Sequence, residues 1–115
     1  MSAERSTFME IVGLSKLIAE SWKFNSKNYP ELPSDIPQRQ LFCLRHVALH
    51  QAKATANIVA AIEPMDHGEP LNRALLAKGI RNSIVNALML AEQAGILPSE
   101  IETMIRGWGI EHHQL

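Results

Sequence analysis

The stretch from Gln38 to Ile62 most constrains what this chain can fold into, because it is apolar on almost every side of a helix. At 3.6 residues per turn, its larger apolar side chains fall on one broad face. They are Leu41, Leu44, Ala48, Ala52, Ile58, Val59 and Ile62. A helix of this kind is predicted to be buried on most sides and to form the centre of the core.

One narrow polar line interrupts this apolar helix. His46, His50, Lys53 and Asn57 follow one another at spacings of four, three and four residues, so they stack along one side. Polar groups on a buried helix need hydrogen-bonding partners or a ligand. The line therefore predicts where a functional site lies.

Helical periodicity predicts an all-α fold of four helices in a single domain that spans residues 1–115. The predicted helices cover about 7–23, 38–62, 71–94 and 99–106. Thr7 with Glu10, and Ser99 with Glu102, have the spacing of capping boxes at helix starts. The glycines at 107 and 109 are predicted to end the fourth helix.

The third helix carries a second polar line, which consists of Lys78, Asn82, Asn86 and Gln93. Its opposite face is apolar and is predicted to be buried. This face comprises Leu76, Ile80, Ile84, Ala87, Leu88, Ala91 and Ala94. The second polar line is predicted to face the His46 line across a shared groove.

Two segments are predicted to lack regular helix because of their prolines. In residues 24–37, Tyr29 joins Trp22 as an aromatic that either fills the core or closes over a pocket, and filling is favoured because aromatics are few. Residues 63–70 hold the densest acidic group, around Asp66, and are predicted to be a solvated turn rather than a cation site.

Composition excludes several classes of function. Eleven basic and 12 acidic residues give a net charge of −1 without a basic cluster, so no nucleic-acid partner is expected. No apolar run is long enough for a membrane span, and the N-terminus lacks an apolar signal segment, so a cytoplasmic protein is expected. A short chain with so apolar a helix is expected to form a homodimer. Cys43, the only cysteine, is predicted to be a buried hydrophobe.

Two stretches resemble a known family. AKGIRNSIVNALMLAEQAGILPSEIETMIRGW, residues 77–108, is similar to the second half of the MazG-like, all-α nucleoside triphosphate pyrophosphohydrolases. LRHVALHQAKA, residues 44–54, is similar to the central helix of that family. The resemblance implies a four-helix bundle completed by homodimerisation, in which carboxylates on two helices hold magnesium against nucleotide phosphates.

The family's carboxylate positions carry other residues in this chain. They fall on His46, Val47 and His50 of the central helix and on Gly79 and Asn82 of the next. Imidazole and carboxamide groups are poor ligands for magnesium. The resemblance therefore implies the fold without the usual magnesium-dependent pyrophosphohydrolysis and without a cofactor.

Three interpretations follow from these residues. In the first, the chain is a divergent relative that binds a nucleotide or another phosphorylated small molecule without catalysis. Its binding residues would be His46, His50, Lys53, Asn57, Lys78, Asn82 and Asn86. In the second, both polar lines are structural, and the protein is a helical dimer that acts as a structural or interaction module.

In the third interpretation, His46 and His50 bind zinc or another transition metal and support a different hydrolysis. Their spacing of four residues lets two imidazoles share one ion. A third ligand would come from Asp66, His67 or Glu69, which requires that loop to fold back.

Overall fold

The computed structural model describes residues 10–113, which contain four α-helices and no strand. The helices are α1 (Ile11–Ser21), α2 (Ile36–Ile62), α3 (Arg73–Ala94) and α4 (Pro98–His112), and a short 3₁₀ turn (Glu63–His67) follows α2. The predicted all-α class and the number of helices are confirmed for this part of the chain. None of these helices has the length and apolar content that crossing a membrane requires.

The ends of α2 and α3 follow local capping chemistry. Asp35 caps α2 by accepting a hydrogen bond from the backbone N–H of Gln38 at 3.1 Å, so α2 begins two residues before the predicted start. Asn72 caps α3 in the same way, with a bond from Leu75 at 3.2 Å. Gly95 ends α3 in the left-handed conformation at φ 74°. The capping box predicted at Thr7 lies outside the described residues.

The start of α4 differs from the prediction. The helix is capped at Leu97, whose backbone N–H donates to the Glu100 carboxylate at 3.2 Å, so the predicted capping box of Ser99 and Glu102 is wrong. Glu102 instead forms an ion pair with Arg106 at 3.3 Å, one helical turn later. Pro98 explains the shift, since proline fits the first turn of a helix, where its missing N–H is not needed.

The predicted end of α4 is also wrong, because the helix runs through Gly107 and Gly109 to His112. A glycine costs a helix about 1 kcal/mol relative to alanine, which weakens a helix without breaking it. Contacts one turn apart offset that cost. His112 stacks on Trp108 with ring centroids 4.6 Å apart, and its Nδ1 lies 2.8 Å from the Trp108 carbonyl.

The centre of the fold is an antiparallel hairpin of α2 and α3. Gln40, near the start of α2, donates to the Gln93 carbonyl near the end of α3 at 3.1 Å. Towards the other end of the hairpin, Gly79 of α3 lies against Ile58 of α2. Among the described residues, helix α1 packs on α3 and α4, and its backbone does not approach that of α2 closely.

This arrangement buries only one side of α2. The buried hydrophobic residues are Cys43, Val47, Ala54, Ala61 and Ala91. The broad face predicted to be the core is largely exposed: Leu41 is 39% exposed, Val59 59% and Ile62 45%. The prediction fails because, within residues 10–113, α3 is the one α-helix that packs along α2. The predicted apolar face of α3 is likewise part exposed, at Ile80 and Ile84.

The resulting shape is extended for a chain of this size. The Cα radius of gyration is 17.5 Å, whereas a compact domain of about 100 residues has about 13 Å. A small core and a large radius together leave apolar helix surface facing outward.

Candidate functional site

Six of the seven residues predicted for the site line one cavity of 340 Å³ between α2 and α3. They are His50, Lys53, Asn57, Lys78, Asn82 and Asn86, and Ala54 and Val85 complete the wall. We call this cavity the polar groove. It forms because residues three or four apart share a side of each helix, and the hairpin sets those two sides against each other.

The seventh residue, His46, lines an adjoining cavity of 430 Å³, which we call the apolar chamber. Its walls come from α1, the segment after α1, α2 and α3. They are Leu17, Ile18, Ser21, Trp22, Phe24, Tyr29, His46, Val47, His50, Val85, Asn86 and Met89. His50, Val85 and Asn86 line both cavities, so the groove and the chamber adjoin each other.

Tyr29 organises the aromatic wall of the chamber. Its ring stacks on Phe24 with centroids 4.9 Å apart and meets the His46 ring edge-on at 4.8 Å. Its hydroxyl accepts a hydrogen bond from Trp22 Nε1 at 3.2 Å. Trp22 is 47% exposed and lines the chamber, so the expectation that it fills the core is wrong.

Hydrogen bonds hold the segment that carries these aromatics. The Arg39 guanidinium of α2 donates to the Phe24 carbonyl at 2.9 Å. The Asn25 side chain accepts from the backbone N–H of Asn28 at 2.9 Å, which forms a local turn. These bonds place Phe24 against the chamber, and the segment contains no regular helix before Ile36, as its prolines predict.

His46 and His50 form a pair where the chamber meets the groove. Their Nε2 atoms lie 3.1 Å apart, so one ring donates its N–H and the other accepts. Burial lowers the pKa of His50 below its ordinary value, and the positive charges of His46 and Lys53 lower this pKa further. The pair therefore resists holding two positive charges.

The groove presents donors rather than carboxylates. No Asp or Glu lines either cavity, and the salt bridges among residues 10–113 include none to Lys53 or Lys78. Arg81 Nε donates to the Asn82 side-chain oxygen at 3.1 Å, so the Asn82 amide N–H groups remain to serve a ligand. Two ammonium groups without a carboxylate give the groove a positive potential that attracts anions.

These residues do not fit a magnesium ion, because magnesium binds through carboxylates and the groove supplies none. The two histidines alone suit a transition metal better. Two nitrogens 3.1 Å apart match neighbouring ligands of an ion with bonds of about 2.0–2.1 Å. However, no three His, Cys, Asp or Glu side chains in the described chain are placed so that they could hold one metal ion together. The turn that contains Asp66, His67 and Glu69 therefore does not fold back to supply a third ligand.

Sequence periodicity misses the residues that α1 and the following segment contribute to the chamber, among them Leu17 and Phe24. The signal available was the group of aromatics between Trp22 and Tyr29, but its position over α2 depends on the Arg39 contact. Comparisons with protein-family models, with curated proteins and with solved structures find no match to this chain.

Proposed function

We propose that this protein binds a phosphorylated small molecule, the class that includes nucleotides, in the polar groove without magnesium and without hydrolysing it. The observation that carries the proposal is the convergence of Lys53 and Lys78 from facing helices in a groove that no carboxylate lines. Hydrogen bonds from charged donors to phosphate oxygens are shorter and stronger than those between neutral groups.

The asparagines complete the set of donors. Asn82 offers its amide N–H groups while Arg81 holds its oxygen, and Asn57 and Asn86 lie along the same cavity. Neutral amides orient a phosphate through hydrogen bonds, and the lysines supply the charge. Binding without hydrolysis is expected, because the groove offers no carboxylates to position a magnesium ion.

The helix order also supports a distant relationship to the MazG-like fold. Four helices occur in the described chain, and the candidate site lies between α2 and α3, the two helices in which the sequence resembles that family. We propose that the chain is a divergent relative in which ligand binding persists without the metal-bound carboxylates.

The direct test is a thermal melt and a calorimetric titration with inorganic phosphate, pyrophosphate, AMP and ATP, each with and without Mg²⁺. A ligand at 100 times its Kd should stabilise the fold by about 2.7 kcal/mol. Lys53→Ala should weaken binding about tenfold or more, since a hydrogen bond from a charged group contributes about 1.5–3 kcal/mol. Lys16→Ala, on the exposed surface of α1, is the matched control and should bind normally.

Unchanged affinity in Lys53→Ala, or binding that needs Mg²⁺, would contradict the proposal. A protein that binds none of the four phosphates would leave the structural or interaction module as the function to pursue.

We further propose that the protein is a homodimer, for which the exposed apolar side of the hairpin provides the interface. Val59 of α2 and Ile80 and Ile84 of α3 are 59%, 46% and 52% exposed. At 100° per residue, each lies on the side of its helix away from the groove residues Asn57 and Asn82. A second copy is the occupant that would complete the small core, and it would leave the groove accessible.

A further inference from the structure

We infer that the phosphorylated ligand of this site has an apolar body, an aryl or aliphatic group, rather than a nucleobase. This inference rests on the proposed function, because it places the phosphate in the polar groove. It adds that the apolar chamber receives the rest of the molecule, so the ligand is the phosphate monoester of an apolar alcohol.

The chamber offers few hydrogen bonds to a ligand, because its polar groups are largely engaged already. The Ser21 hydroxyl donates to the Leu17 carbonyl at 2.7 Å, and Trp22 Nε1 donates to the Tyr29 hydroxyl at 3.2 Å. The two histidine Nε2 atoms engage each other at 3.1 Å. The Tyr29 O–H, the Asn86 amide and the Nδ1–H of the histidine that accepts are the donors left for a ligand.

A nucleobase presents several donors and acceptors along its edges. Most of them would lose water in the chamber without gaining a partner, and unmatched polar atoms weaken binding. An apolar group has no hydrogen bonds to water that it would lose on entering the chamber. It gains from removing its own surface from water against Leu17, Val85 and Met89.

The size of the chamber suits a medium-sized group. An apolar cavity of about 150 Å³ holds one benzene molecule. The chamber volume of 430 Å³ therefore has room for a two-ring aromatic or a branched chain of similar size. The aromatic wall of Phe24 and Tyr29 favours a flat ring system.

The spacing along α3 sets the length of the ligand. Asn82 lines the groove, Val85 and Asn86 line both cavities, and Met89 lines the chamber. At 1.5 Å per residue, Asn82 and Met89 are about 10 Å apart along the helix. A phosphate beside Asn82 and a bicyclic body against Met89 span this distance, and the two cavities adjoin at Val85 and Asn86.

The experiment compares four probes by calorimetry and by Trp22 fluorescence: 1-naphthyl phosphate, AMP, 1-naphthol and inorganic phosphate. 1-Naphthyl phosphate joins a phosphate directly to an apolar two-ring body, whereas AMP joins it through a ribose to a polar two-ring base. We expect 1-naphthyl phosphate to bind at least ten times more tightly than AMP and than either fragment. A Trp22→Phe variant identifies the fluorescence change that comes from the chamber rather than from Trp108.

Two variants separate the parts of the ligand. Met89→Gln keeps the side-chain length and should weaken 1-naphthyl phosphate at least fivefold while inorganic phosphate binds as before. Lys53→Ala should weaken both phosphates and leave 1-naphthol unchanged. Met104→Gln, on α4 where Met104 is 68% exposed, is the control for Met89→Gln and should bind every probe normally.

AMP binding as tightly as 1-naphthyl phosphate would overturn the inference while the proposed function stands. Equal affinity for 1-naphthol and its phosphate, unchanged in Lys53→Ala, would overturn the proposed function and the phosphate ester with it. Weakened binding of inorganic phosphate in Met89→Gln would show that the groove and the chamber do not divide the ligand as inferred.

Discussion

The Nε2 atoms of His46 and His50 lie 3.1 Å apart across one turn of α2, so the two rings share a single hydrogen bond. The Phe42 and His46 rings stack in parallel on the other side, with centroids 6.0 Å apart. His46 therefore sits between an aromatic ring and a second imidazole. Protonation of both histidines would place two like charges in contact beside Lys53.

Lowering the pH should therefore destabilise the protein. The pKa of His50 is lower in the folded chain than its ordinary value of 6.5, chiefly through burial. The unfolded chain then binds more protons, so the free energy of unfolding falls as the pH drops from about 6.5 through the lowered pKa. Urea denaturation between pH 8 and pH 5 measures this trend, and His50→Gln should reduce its slope. His67→Gln, in the exposed turn, should keep the slope of the parent protein.

The close approach of α2 and α3 should make Gly79 intolerant of a side chain. A Cβ atom there would lie 2.8 Å from Ile58 Cγ1 and 3.3 Å from the Ala54 carbonyl oxygen. Such overpacking costs about 1–3 kcal/mol, which exceeds the gain of about 0.5–1 kcal/mol from replacing a helical glycine by alanine. Gly79→Ala should therefore lower the free energy of unfolding by about 1–2 kcal/mol in urea denaturation.

Gly107→Ala is the matched control, because a Cβ at this helical glycine meets nothing within 4 Å. It should stabilise the protein by about 0.5–1 kcal/mol. A Gly79→Ala protein that is as stable as the Gly107→Ala protein would show that the helices separate without cost.

Charge on the exposed side of the hairpin should prevent dimerisation. We expect the parent protein to have twice the chain mass of 12.8 kDa in light scattering after size exclusion. Val59→Glu or Ile84→Glu should give the monomer mass, because a carboxylate buried in an apolar interface lacks a partner. Ile110→Glu, on α4 where Ile110 is 71% exposed, should remain dimeric. A monomeric parent protein would contradict the proposed interface.

The thiol of Cys43 should be inert in the folded protein. Cys43 is 2% exposed, as the sequence predicts, and burial raises its pKa while Arg39 acts in the opposite direction. Alkylation by iodoacetamide at pH 8 should thus be slow until denaturant is added. A Ser99→Cys variant supplies an exposed thiol in the same chain and should react at once at that position only. Fast labelling of Cys43 in the folded parent would contradict this prediction.

Helical periodicity predicted the groove because the helix geometry alone determines on which side of each helix its six residues lie. His50, Lys53 and Asn57 share one side of α2 whatever packs against it, and Asn82 and Asn86 share one side of α3. Two helices joined by a short turn then bring the two polar sides together. No knowledge of the distant parts of the chain is needed for this step.

The parts that could not be predicted depend on which elements meet. Periodicity places Leu41 and Val59 on the apolar face of α2. Whether that face is covered depends on tertiary packing, and α1 packs on α3 instead. The chamber also depends on tertiary packing, because the hydrogen bond from Arg39 to the Phe24 carbonyl holds Phe24 at its wall. The cap at Leu97 was missed because the Glu100 carboxylate provides it, and leucine itself gives no capping signal.

The placement of the two cavities also sets the order in which the site forms. Both walls of the polar groove belong to the hairpin of α2 and α3, and a short connection closes a hairpin at little entropic cost. The chamber also needs α1 to pack on α3, which brings distant parts of the chain together, and such long-range packing forms slowly. The polar groove should therefore form first during folding, and the chamber should be completed only when α1 packs on α3.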